Sequence, residues 1–212
     1  MPLHDQRRAY RRGTLDDATV AADPLRTLAA WIDEARAAGE GEPTAMALAT
    51  IDPGGTPAVR MVLCKAITTS GVEFYTNLQS RKARALAANP AAAATFWFAE
   101  LERSVRLTGH TRLLPRDQVD RYFASRPRGS RIGAYASHQS EPIASRAQLE
   151  AQRDAADAAH PDPGPAVAPA SWGGYELIAD EVELWQGRED RLHDRFRYLR
   201  DGGSWHAARL QP

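Results

Sequence analysis

Cysteine is almost missing from the chain: Cys64 is the only one in 212 residues. An intrachain disulfide is therefore impossible, and the lack of a cysteine cluster excludes the usual structural zinc frameworks. A reducing, cytoplasmic setting is the expectation. Charge of one sign is missing too, because 27 basic side chains balance 27 acidic ones to a net charge of zero. Nucleic-acid binding through a broadly basic surface is not expected, although local cationic sites survive such averaging. The Arg-rich residues 1–13 precede no long apolar run, so neither a secretory signal nor a membrane span is expected. The six histidines are scattered, which leaves no metal-ligand spacing. No Gly-x-Ser-x-Gly elbow or Walker loop occurs, and with them go the common hydrolase and nucleotide-triphosphate chemistries.

What is present reads as one globular domain over 23–212 preceded by a flexible arm, 1–22. Asp23-Pro24 opens a helix, 24–38, on a stripe of Leu25, Leu28, Ile32 and Ala35, with an N-cap and proline at the first helical position. The period then changes to that of strands at 45–52, 58–67 and 72–76, separated by Pro53-Gly54-Gly55 and Thr68-Thr69-Ser70-Gly71, the punctuation of antiparallel hairpins. Ser80 caps a short helix reaching Asn89-Pro90; strands at 92–99 and 104–114 and helices at 116–125 and 144–159 follow. A proline-rich connector, 160–170, leads to strands at 174–179, 181–186, 191–199 and 205–210, the last pair joined through Asp201-Gly202-Gly203. Many short strands with interposed helices predict an α+β fold, mainly β: an antiparallel barrel decorated by helices.

Three cationic clusters stand out. In a strand over 191–199, period two places Arg191, His193, Arg195 and Arg197 on one face, with Leu192, Asp194, Phe196 and Tyr198 on the other. Such a column suits adjacent anionic groups, and equally a solvated edge whose arginines pair with surface carboxylates. Arg121, Arg126, Arg128 and Arg131 surround Ser125 and Ser130 near Pro127 and Gly129; this is either a phosphate cradle or an exposed helix C-terminus. Arg60 and Lys65 flank an apolar stretch but have opposite parity, so serving one ligand requires a bulge or a strand end between them. Residues 75–82 lead into a helix N-terminus, where free amides favour phosphate. Cys64, Trp31 and Trp97 are expected in the core. With no nucleophile, metal or acid–base set, a bound cofactor is expected to carry the chemistry.

Several segments together are similar to the pyridoxamine 5′-phosphate oxidase family. They are Arg-Arg-Ala-Tyr at 7–10, Pro-Thr-Ala-Met at 43–46, the 60–65 strand, Tyr-Thr-Asn-Leu and Ser-Arg-Lys within 75–82, and Tyr-Phe-x-Ser-Arg-Pro-Arg at 122–128. Gln139-Ser140, Ser-Trp-Gly-Gly at 171–174 and Trp-Gln-Gly…Arg-Leu-His-Asp-Arg at 185–195 complete the series. The resemblance implies a homodimeric split β-barrel with FMN at the subunit interface. It implies oxidation of pyridoxamine or pyridoxine 5′-phosphate to pyridoxal 5′-phosphate, with dioxygen reduced to hydrogen peroxide. FMN would be held by Arg60, Met61, Val62, Leu63, Lys65, Tyr75, Thr76, Arg81, Lys82, Gln139, Ser140, Trp185 and Arg195. The substrate phosphate would meet Lys65, Tyr122, Arg126 and Ser130; Arg191 and His193 would act at the pyridine ring, and Arg7 with Tyr10 would close over it.

One departure stands in the same motifs: Ser104 occupies a position where the family generally has a glutamine next to the flavin. Two other activities fit the chain, a phenazine-type oxidase of the same superfamily and a non-catalytic carrier of flavin or pyridoxal phosphate. The first would lack the substrate-phosphate residues, and Ser104 alone favours the second.

Overall fold

The computed structural model describes residues 9–17, 20, 22–161 and 166–212; Arg7 lies outside them. The helix α1 (Pro24–Ala37) starts where expected, with the Asp23 carboxylate accepting the Leu25 N–H at 2.9 Å. Its Leu25, Leu28, Trp31, Ile32 and Ala35 are buried, the stripe that an amphipathic helix turns to the core.

The strands are β1 (Ala45–Ile51), β2 (Pro57–Leu63), β3 (Ala66–Ile67), β4 (Gly71–Asn77), β5 (Ala91–Phe98), β6 (Arg103–Leu113), β7 (Trp172–Gln186), β8 (Asp194–Asp201) and β9 (Ser204–Leu210). They form one antiparallel sheet in the order β2-β1-β5-β6-β7-β4-β3, with β8 on β7 and β9 on β8. The helices α2 (Arg81–Ala88), α3 (Arg116–Ser125), α4 (Arg128–Ala136) and α5 (Arg146–Ala159) lie between strands.

The 15-residue β7 organises the barrel. Its first half pairs with β4, its second with β8, and most of its length with β6. The separate strands expected at 174–179 and 181–186 are thus one, interrupted by a register shift opposite Thr108/Gly109; such a bulge bends a strand without ending it. Leu48, Phe74, Phe96, Phe98, Leu107, Leu177, Leu184 and Tyr198 fill the interior at full burial, each side chain contributing roughly 1.5–3 kcal/mol by leaving water.

Other differences have local causes. The strand expected at 58–67 breaks at Cys64-Lys65, because Cys64 N–H bonds Thr44 O while Lys65 N–H bonds Glu73 O. The chain changes partners there, which removes the parity conflict between Arg60 and Lys65. A helix, α4, begins just after Pro127, where the sequence predicts no regular element. Trp97 is 47% exposed rather than core, since Phe96 and Phe98 take the inner face of β5 and alternation sends Trp97 outward. Trp31 and Cys64 are buried as expected, and burial pushes the Cys64 thiol up to about 11, against a role as nucleophile.

Candidate functional site

The first group of predicted residues meets at the N-terminus of α2. Ser80 Oγ caps this helix by accepting the Ala83 N–H, and the Arg81 N–H donates to Ser140 Oγ at 3.1 Å. Lys82 Nζ donates to Gln139 Oε1 at 2.7 Å and to Thr76 Oγ1 at 3.2 Å. From β2, Arg60 Nη1 donates to Thr50 Oγ1 at 2.7 Å and to Leu48 O at 3.2 Å. Asp52, at the end of β1, holds the Arg81 guanidinium. Burial lowers the Arg60 pKa, opposed by Asp52 and reinforced by Arg81; burial and then Arg60 lower that of Lys82. Three cations and a capped helix N-terminus therefore face one carboxylate, an arrangement that a phosphate dianion would relieve. Thr50 and Asp52 were missed in the sequence because the turn beginning at Pro53 marked them only as a strand end.

The second group surrounds a cavity of about 330 Å³ lined by Asn77, Arg126, Ser130, Ser137, Gln139 and Trp172 among others. The Arg126 guanidinium lies 4.2 Å from the Trp172 ring centroid. Among the described residues, its Nη1 and the Trp172 Nε1 are buried without a hydrogen-bond partner. Burial lowers the Arg126 pKa. Unpaired donors of this kind are costly, and a bound anion would satisfy them. Tyr122 stacks on Tyr75 at 3.8 Å between centroids. Gln139 belongs to both groups. Lys65, by contrast, is exposed, and Met61 and Leu63 point out of the barrel at 64% and 37% exposure while Val62 packs inward.

The third group is made of rings. Trp185 lies 4.7 Å from His193, and Tyr10 stands edge-on to Trp185 at 5.7 Å and tilted to His193 at 5.8 Å. His193 Nδ1 accepts the Arg188 N–H at 3.0 Å, so the neutral ring carries its proton on Nε2. Burial first, and then Arg191, lower the His193 pKa, against an opposing pull from Asp194.

The four-residue cation column does not form. Residues Glu189–Arg191 make a 3-10 turn, and β8 begins only at Asp194 because its pairing with β7 ends at Gln186–Asp194. Asp190 and Arg191 take left-handed backbone, φ 54° and 62°, which turns Arg191 out of line. Arg195 and Arg197 keep a common face. Arg195 grips Glu183 with two hydrogen bonds of 2.8 and 3.0 Å, and Arg106 binds the same carboxylate. Ser104 stands in register between Trp97 and Trp185, whose rings lie 5.9 Å apart. Among the described residues no hydrogen bond or ring contact joins this third group to the first two.

A split barrel whose single chain holds two neighbouring cation-lined clusters and a separate ring cluster has the features of a protein that binds phosphorylated ligands. Residues 32–157 match the family described as pyridoxamine 5′-phosphate oxidase, and residues 172–212 match the pyridoxine 5′-phosphate oxidase C-terminal dimerisation region. The chain is 49% identical to a pyridoxine/pyridoxamine 5′-phosphate oxidase of Burkholderia lata and 47% identical to one of Thermosynechococcus vestitus, each alignment covering 99% of both chains. Among solved structures it is similar to PhzG of Burkholderia lata in complex with tetrahydrophenazine-1-carboxylic acid. There the identity is 30%, with a TM-score of 0.86 over 94% of this chain and 98% of that one. An FMN-binding protein of Nostoc punctiforme, 18% identical, shares the fold with a TM-score of 0.74 over 91% of this chain and 100% of that one.

The chain therefore belongs to the pyridoxamine 5′-phosphate oxidase family. It is a flavoprotein oxidoreductase with FMN as its cofactor, and the dimerisation region supports a homodimer. The α2 cradle fits the phosphate of that cofactor, because its three cations outnumber the carboxylate that balances them. Among the described residues no helix is long and apolar enough to cross a membrane, and no cluster of three metal-ligating side chains occurs.

Proposed function

We propose that the protein oxidises pyridoxamine or pyridoxine 5′-phosphate to pyridoxal 5′-phosphate, reducing dioxygen to hydrogen peroxide. The supporting observation is the second cationic cluster: beside the α2 cradle, Arg126 and Ser130 line a cavity in which Arg126 Nη1 lacks a partner among the described residues. A cofactor with one phosphate needs one cradle; a second suits a substrate that carries its own phosphate.

In this reading Arg60, Thr76, Arg81, Lys82, Gln139 and Ser140 hold the FMN phosphate, while Tyr122, Arg126 and Ser130, joined by Lys65, hold that of the substrate. FMN, when bound, supplies the acceptor for a hydride from substrate C4′ and passes the electrons to dioxygen. Arg191 stabilises charge on the pyridine ring and its oxygen. His193, kept neutral and oriented by the Arg188 N–H, offers its Nε2 proton to the same ring, and Tyr10 covers it. For the amine substrate the two-electron oxidation gives an imine, which water hydrolyses to the aldehyde and ammonia. Trp185 and Arg195 complete the flavin site. Because the ring cluster and the cradles are apart within one chain, we place their union across the homodimer interface, on the outer face that exposes Val59, Met61 and Trp97.

The phenazine-type reading draws on the fold similarity to PhzG, and the carrier reading on Ser104. Both are separated from the first by mixing FMN-loaded protein with pyridoxamine 5′-phosphate under air. Stoichiometric pyridoxal phosphate and peroxide are expected. Absence of both products in air, or flavin that stays oxidised when the same mixing is done without dioxygen, would refute the proposal.

A further inference from the structure

Glu102, in the turn between β5 and β6, has no part in the chemistry above, yet it is 2% exposed and holds a left-handed backbone, φ 54°. A carboxylate does not stay in such a place without strong donors. Its Oε2 accepts the backbone N–H groups of Arg11 at 2.7 Å and Arg12 at 3.0 Å. Its backbone oxygen accepts the Gly187 N–H at 2.8 Å and Gln186 Nε2 at 3.2 Å. One residue thus ties residues 10–13 to the start of the turn that carries Arg191 and His193.

The neighbouring contacts point the same way. Tyr10, next to the first bonded amide, packs on Gly187, where a Cβ would lie 2.7 Å from Tyr10 Cγ. Gly13 passes Gln186 so closely that a Cβ would sit 2.8 Å from its Oε1. Gln186 cannot yield, being fully buried with its oxygen held by Arg103 Nε at 2.7 Å. The ion pairs Arg11–Glu189 and Arg12–Glu100 join the same segment, but their side chains are 45–75% exposed. Exposed pairs contribute little, which leaves the buried carboxylate as the principal anchor.

We infer that Glu102 is a positioning residue: by binding the Arg11 and Arg12 amides it holds Tyr10 against Trp185 and His193, closing the substrate side of the site. The inference rests on the proposed function only for what Tyr10 covers; the anchoring itself is independent of it.

The test uses FMN-loaded protein bearing Glu102→Ala, Glu102→Gln or Gly13→Ala. Glu102→Ala should speed amide exchange at Arg11 and Arg12 and tryptic cleavage after them by about tenfold or more, the scale of losing charge-assisted hydrogen bonds. It should raise KM for pyridoxamine 5′-phosphate about tenfold while kcat and FMN affinity stay within about threefold. Glu102→Gln keeps an acceptor oxygen and should restore both protection and KM. Gly13→Ala displaces the segment by its clash with Gln186 while keeping the Glu102 carboxylate, and should reproduce the alanine phenotype even if Glu102→Ala does not fold. Parent-like exchange and cleavage in both Glu102→Ala and Gly13→Ala would overturn the anchor. A freed segment with unchanged KM would overturn its role in positioning. Parent protein that forms no pyridoxal phosphate would instead remove the functional reading, and the exchange data would still decide the anchor.

Discussion

In the proposed function the cradle at α2 and the turn between β7 and β8 take neighbouring tasks, and they differ in construction. The cradle hangs mainly on regular elements, a capped helix, the end of β4 and two strands, with each cation held by hydroxyl, amide or carboxylate oxygens at 2.7–3.2 Å; only Gln139 and Ser140 come from a turn, where Ser140 has φ 77°. The turn is irregular, with two successive left-handed residues and an exposed Arg191. A phosphate ester is the same in every ligand that carries it, so a rigid receptor suffices. A reacting ring must be approached, covered and released, which suits residues outside the ladders.

The sharpest break between the two regions is Arg191→Ala. If the turn serves chemistry and the cradle serves binding, turnover should fall about 100-fold or more, the scale of removing a group that stabilises developing charge, while the flavin is retained. Loss of flavin absorbance on gel filtration would place Arg191 with the cradle instead. Next in size is Lys82→Met, which deletes a half-buried ammonium bonded to Gln139 and Thr76. FMN affinity should weaken about 10- to 100-fold, equivalent to roughly 1.5–3 kcal/mol for charged hydrogen bonds. KM for substrate in flavin-saturated protein should move much less. A fluorescence titration with FMN reads the first number and steady-state kinetics the second.

This contrast also explains how much was legible in the sequence. The cradle was largely readable because Ser80 marks a helix start and Tyr75 to Lys82 follow from strand to helix without interruption. Most strands were readable from alternation for the same reason. The β7–β8 turn was not, because Leu192, Phe196 and Tyr198 still fall on one parity across it, with only Asp194 out of step, although pairing stops at Asp194; nothing local announces that Asp190 and Arg191 take positive φ. Trp97 was misplaced by its hydrophobicity, since parity and not residue type decides which face of β5 it occupies. Glu102 was invisible because a buried carboxylate is defined by distant partners, 90 residues away for the Arg12 amide, and Asp52 because its partner Arg81 lies 29 residues on.

A smaller effect tests whether the cradle depends on its cap. Ser80→Ala removes the acceptor for the Ala83 N–H and should destabilise the protein by about 1 kcal/mol. Chemical denaturation of the apoprotein measures this. An FMN affinity that falls more steeply than stability would mean that the cap shapes the cradle as well as the helix.

Smallest of all, and on the other side of the comparison, is the titration of His193. Its pKa lies below the ordinary 6.5, mainly through burial against Trp185 and Tyr10 and secondarily through Arg191, with Asp194 opposing. The folded protein therefore takes up this proton at lower pH than the unfolded chain does. His193 contributes stability that is fully present above pH 6.5 and is lost as pH falls through that value toward the depressed folded pKa. The slope of unfolding free energy between about pH 5 and pH 7 should accordingly be shallower in His193→Gln than in the parent. The acid limb of kcat/KM assigned to this ring should lie below 6.5. Displacing Tyr10 by Gly187→Ala should move that limb back toward 6.5, because the ring would regain water. A limb that stays in place would show that Trp185 alone dries the histidine and that Tyr10 covers the substrate only.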